Sequence, residues 1–116
     1  MSSFTTPLIG EWDTPMIKFT LFQEFKYVGN DGVVYRVPKG FITDFASIPK
    51  YLHIFFSPIG LYGKAAVLHD YLYSSKVVTK EKADRLFREA MFVLKVPRWK
   101  METFYIAVKY FGGKEY

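Results

Sequence analysis

The hydrophobic pattern divides this chain into a strand-like first half and a helical second half. From Ile17 to Val28 it is rich in Phe, Tyr, Leu and Thr, with Lys18, Gln23, Glu24 and Lys26 set among them, as a half-buried strand carries. Gly29-Asn30-Asp31-Gly32 is a turn signal, and Val33 to Val37 resumes the strand character, so a β-hairpin is predicted over 17–37. Pro38-Lys39-Gly40 turns the chain, and Phe41 to Thr43 forms a third short strand whose end delivers Asp44. Ahead of the hairpin, residues 1–16 read as an extended arm with Leu8, Ile9 and Trp12 as apolar anchors. Pro7 and Pro15 deny that arm a central place in a sheet.

The second half, residues 47–111, has helical spacing and helical punctuation. Ser47-Ile48-Pro49 opens a short helix over Lys50 to Phe56, and Ser57-Pro58 ends it. Tyr62-Gly63 precedes a second helix centred on Ala65-Ala66-Val67-Leu68-His69-Asp70-Tyr71-Leu72-Tyr73. Thr79 caps the next, with Glu81 in its first turn and an apolar stripe of Ala83, Phe87, Ala90 and Leu94. Pro97 opens the last, whose apolar face includes Met101, Phe104, Tyr105 and Val108, and Gly112-Gly113 stops it. The predicted class is α+β: a small antiparallel sheet followed by three to four helices.

Composition narrows this picture. A length of 116 residues suits one domain with one core, and 12 Phe, 9 Tyr and 2 Trp argue for a folded protein. The absence of cysteine removes disulfides and thiolate metal sites and suits a reducing compartment. No signal-peptide pattern opens the chain and no apolar run has the length of a membrane span, which predicts a protein made in the cytoplasm and either kept there or released by lysis. The +5 charge is spread rather than clustered, and Lys76, Lys80, Lys82, Arg85 and Arg88 read as solvated surface rather than a nucleic-acid patch, with an anionic membrane or an acidic protein as the alternative partners.

Chemistry concentrates in the middle helix. His69 and Asp70 sit in an apolar setting, and a charge near a core must be paired, metal-bound or hydrated. Asp84, beside the stripe residue Ala83, is the inward carboxylate that can hold one ring nitrogen of His69 and leave the other to accept a proton. Asp70 and Asp44 are a second carboxylate pair, and a hard cation such as calcium, completed by the carbonyl of Phe45 and by water, would relieve their repulsion. The plainer account of the same residues is a buried His69–Asp84 hydrogen bond between packed helices and an Asp44 that caps the turn before Ser47. His53, Trp12 and Trp99 read as packing or surface residues.

Three segments, Thr43 to Pro49, Ala66 to Tyr73 and Ala83 to Phe87, resemble the T-D-x-A-S-x-P, A-x-x-H-D-Y-L-Y and A-D-x-x-F pattern of a small-protein family of unknown function found mainly in tailed phages and prophages. A more distant resemblance is to the prokaryotic secreted phospholipases A2, with D-G-C-S-x-x-P, C-x-x-H-D-x-x-Y and A-D-x-x-F. Asp44, Ser47, His69, Asp70, Tyr73, Asp84 and Phe87 fall on that pattern in order. The resemblance implies His69 as general base, Asp84 as its orienting carboxylate, and Asp44, the carbonyl of Phe45 and Asp70 as calcium ligands, with Tyr73 and Ser47 supporting. Ala46 and Ala66 stand where that family has cysteines, Pro49 falls one residue early, and the hairpin half has no counterpart there.

Two functions follow as expectations. One is a phage-encoded, calcium-dependent lipid or ester hydrolase acting at the host envelope. The other is a non-catalytic virion component of the tail, neck or baseplate that uses the arm and aromatic surface to meet other phage proteins.

Overall fold

The computed structural model describes residues 3–12, 19–43 and 63–111. Contacts gather the chain into two compact units, Met1–Asp44 and Phe45–Tyr116. The class is α+β, with small antiparallel sheets in the first unit and helices in the second.

In the first unit, β1 (Ser3–Phe4), β4 (Phe25–Val28) and β5 (Val34–Val37) form one sheet in the order β1-β4-β5. A second sheet runs β2-β3-β6, from β2 (Gly10–Trp12), β3 (Phe19–Leu21) and β6 (Ile42–Thr43). The hairpin is β4-β5, with Tyr27 opposite Tyr35 and Phe25 opposite Val37. Its loop closes through the Gly29 N–H to the Val33 carbonyl, and Gly32 at φ +81° takes the left-handed position that this turn requires. Asp31 secures the loop by accepting from the Val33 N–H and the Tyr35 hydroxyl.

The segment expected as one strand from Ile17 to Val28 is instead two strands in different sheets. Period-two burial runs through Phe19, Leu21, Phe25 and Tyr27, but pairing partners change between Leu21 and Phe25. Leu21 and Phe22 are held by Phe41, Gly40 and Ile9 backbone, so β6 returns to β3 rather than extending the hairpin. Residues of the arm pair at sheet edges: Phe4 opposite Tyr27, and Gly10 opposite Leu21. A Cβ at Gly10 would collide with the Thr20 carbonyl and the Phe19 ring, so glycine permits this close approach. The Phe4 ring stacks on Phe25 at 5.2 Å.

In the second unit, α1 (Gly63–Ser75), α2 (Lys80–Val93) and α3 (Arg98–Phe111) are described, while the helix expected over 50–56 lies outside the described residues. Helix α2 packs against both α1 and α3. Thr79 caps α2 by accepting from the Lys82 N–H at 3.1 Å. Its carboxyl end closes with the Val96 N–H on Met91 and the Lys95 N–H on Phe92, a Schellman arrangement with Lys95 at φ +62° where glycine is usual. The buried stripe of α2 is Ala83, Asp84, Leu86, Phe87, Ala90 and Met91, so Met91 rather than Leu94 completes it. Among the described residues no helix is long and apolar enough to cross a membrane.

Candidate functional site

Helix α1 is buried on almost every side, through Gly63, residues 65–69, Leu72 and Tyr73. Small alanines at 65 and 66 allow that close packing, and a helix apolar all round belongs in an interior. His69 and Tyr73 stand one turn apart, so both side chains leave the same face toward α2. On α2, Asp84 follows Ala83 in the buried stripe and meets them there.

The Asp84 carboxylate gathers donors from two helices. His69 Nε2 lies 2.8 Å from Oδ1, and the Tyr73 hydroxyl donates to the same oxygen at 2.6 Å. Lys80 Nζ, one turn earlier on α2, donates to Oδ2 at 2.8 Å. The same ammonium reaches the Val108 and Lys109 carbonyls at 3.1 Å each, in the last turn of α3, where backbone acceptors have no partner within the helix. His69 is 0% exposed and Asp84 2%, so α1, α2 and α3 are joined by an internal polar network. The imidazole also stacks on Phe87 at 4.6 Å, and Phe104 of α3 meets Phe87 edge-on at 6.3 Å.

Electrostatics fix the protonation of this cluster. Burial pushes His69 below its ordinary value, outweighing the opposite pull of Asp84 and Asp70, so the ring is neutral. Burial alone would raise Asp84, but the bonds from His69, Lys80 and Tyr73 overcome it and hold the carboxyl below its usual range. An ionised carboxylate only accepts, so Nε2 carries the ring proton and Nδ1 carries the lone pair. A proton taken at Nδ1 would create an imidazolium beside the Asp84 charge, the geometry a general base uses. The identical geometry also serves as a buried tie between helices.

The residues expected to form a site are placed unevenly. His69, Tyr73 and Asp84 are brought together. Asp70 is half-buried on α1, about 100° round the helix from His69. Asp44, Phe45 and Ser47 lie outside the described residues. Among the described residues no three metal-ligating side chains gather, and of the residues expected to hold calcium Asp70 is the one that lies among them. Lys80 was expected at the surface with its neighbours and is instead turned onto Asp84. The signal that could have found it is the four-residue spacing from Lys80 to Asp84, which places them on one helix face. Arg88, from the same basic group, is engaged by Glu102 of α3 at 2.6 Å.

Residues 19–108 match the family described as Protein of unknown function (DUF1353). The chain is also 36% identical over 100 residues to the uncharacterized protein y4jT of Sinorhizobium fredii, a match that covers 84% of this chain and 30% of that protein. The chain thus spans less than a third of the length of that relative. No solved structure matches it.

Proposed function

The chain belongs to the DUF1353 family of proteins of unknown function, and on that premise we propose that it is a phospholipase A2-like lipid or ester hydrolase whose general base is His69. The observation that carries this reading is the 2.8 Å bond from His69 Nε2 to Asp84, with Tyr73 on the same oxygen. That bond selects the tautomer with its lone pair on Nδ1, where a water proton would be taken while the water attacks the ester carbonyl. Asp84 offsets the imidazolium charge, and Tyr73 and Lys80 keep Asp84 ionised and in place. Calcium would be held by Asp70 with Asp44 and the Phe45 carbonyl, and would supply polarisation of the ester carbonyl. The phage setting of the resemblance makes host-envelope lipid the substrate class.

The complete burial of His69 supports a second reading, a non-catalytic virion component in which the network only ties helices together. The experiment that separates the two is hydrolysis of a monomeric short-chain phosphatidylcholine, with calcium and with chelator, beside His69→Asn. The hydrolase reading expects calcium-dependent turnover and a loss of about a hundredfold or more in kcat for the variant. A folded protein that releases no fatty acid under either condition ends that reading. Stoichiometric amounts of the chain in purified particles would then establish the virion role.

A further inference from the structure

Helix α3 has two apolar faces, and among the described residues the core uses one of them. Met101, Phe104, Ala107 and Val108 are buried. On the opposite face Trp99, Thr103, Ile106 and Tyr110 recur at i, i+4, i+7 and i+11, the spacing of a single stripe along a helix. Trp99 is 63% exposed, Ile106 51% and Tyr110 67%. Thr103 does not interrupt this ridge with a polar group, because its hydroxyl donates to the Trp99 carbonyl at 2.7 Å. Apolar side chains scattered singly over a surface need no explanation, but a continuous outward ridge on one helix does.

The ridge is bordered by cations. Lys100 lies on one flank with its ammonium 5.5 Å from the Trp99 ring centre. Lys109 lies on the other, 5.5 Å from the Tyr110 ring and 5.8 Å from that of Tyr105, with Arg98 exposed on the same side. The acidic residue of α3 is Glu102, and Arg88 already engages it. Trp and Tyr, with an apolar body and a polar tip, and lysines whose stems lie along rings, are the composition of a helix lying flat in a lipid interface.

We propose that the Trp99–Ile106–Tyr110 ridge of α3 seats this protein on an anionic bilayer surface, with Lys100, Lys109 and Arg98 meeting the headgroups. Charge decides the occupant. A surface of anionic headgroups complements all three cations at once. The inference goes beyond the hydrolase reading and does not depend on His69.

Flotation with vesicles of phosphatidylcholine containing about one-third phosphatidylglycerol, against pure phosphatidylcholine, tests the proposal. Binding to the anionic vesicles, released by salt and absent on the neutral ones, is expected. Lys100→Gln with Lys109→Gln should weaken partitioning about thirtyfold. Trp99→Ser with Ile106→Ser should abolish it while leaving the helical circular dichroism unchanged, because both side chains lie outside the core. No binding of the wild-type protein to anionic vesicles overturns the proposal. So does binding that survives Trp99→Ser with Ile106→Ser. Sedimentation showing a dimer that this variant dissociates would assign the ridge to a second copy, and capture of an acidic protein without vesicle binding would assign it to a protein partner. Monomeric ester turnover needs no surface, so failure here and failure of the hydrolase reading are separate outcomes.

Discussion

The sheet unit and the helical unit bury similar kinds of apolar side chain but differ in what else they bury. In the sheets, Phe25, Tyr27 and Val37 form an interior held by cross-strand pairing and the Phe4 ring, and the polar group described as buried there is Thr43. In the helices, His69 and an ionised Asp84 sit among Phe87, Leu72 and Ala90. Backbone pairing satisfies a strand's polar groups along its length, so a sheet interior can be apolar throughout. A buried carboxylate needs donors brought from elsewhere, and here they come from α1 and α2. The interior that contains chemistry is therefore the one whose stability depends on side-chain hydrogen bonds and on pH.

The sharpest way to break that contrast is Asp84→Ala. Removing the shared acceptor strands Lys80, Tyr73 and His69 together, and should cost about 3–5 kcal/mol in denaturant unfolding. Phe25→Ala in the sheet should cost a similar amount, about 3–5 kcal/mol, purely by cavity formation, and without altering the pH dependence of stability. A loss below 1 kcal/mol for Asp84→Ala would show that the network contributes little.

Acid sharpens the comparison. The folded pKa of His69 lies below its ordinary value of 6.5, so the unfolded chain binds this proton first as pH falls. Stability of the helical unit should therefore decline below about pH 6.5, in the window between the unfolded and folded values of His69. Asp84 is also depressed, from an ordinary value of 3.8, so its contribution is present above that value and is lost as pH falls through the folded pKa. His69→Gln should remove the first decline and leave the second. Stability that instead rises between pH 6.5 and 5 would mean that His69 is protonated in the folded protein.

The smallest effect is a gain. Lys95 holds φ +62° at the end of α2, a conformation in which a side chain is strained and glycine is not. Lys95→Gly should stabilise the protein by up to about 1 kcal/mol, read as a small rise in Tm. A fall in Tm would mean that the lysine side chain contributes more than its backbone strain costs.

Local signals carried much of this molecule in the order of residues. The turn at Gly29-Asn30-Asp31-Gly32, the cap at Thr79 and the buried stripe from Ala83 to Phe87 each depend on chemistry within a few positions, and each is visible in the chain. The meeting of His69 with Asp84 was also legible, because two buried polar residues on adjacent helices have few alternatives to each other. Tertiary structure alone decided the rest. Alternation through Gln23 is identical whether Leu21 and Phe25 share a sheet or not, so the change of partners there is set by where β2 and β6 lie. The four-residue spacing to Asp84 marks Lys80 out from Lys82, but spacing alone does not turn Lys80 inward. Its inward turn exists because Asp84 needs a counter-charge and the carboxyl end of α3 offers two carbonyls to the same ammonium. Periodicity says which face of a helix is buried; only packing says which distant group completes a buried charge.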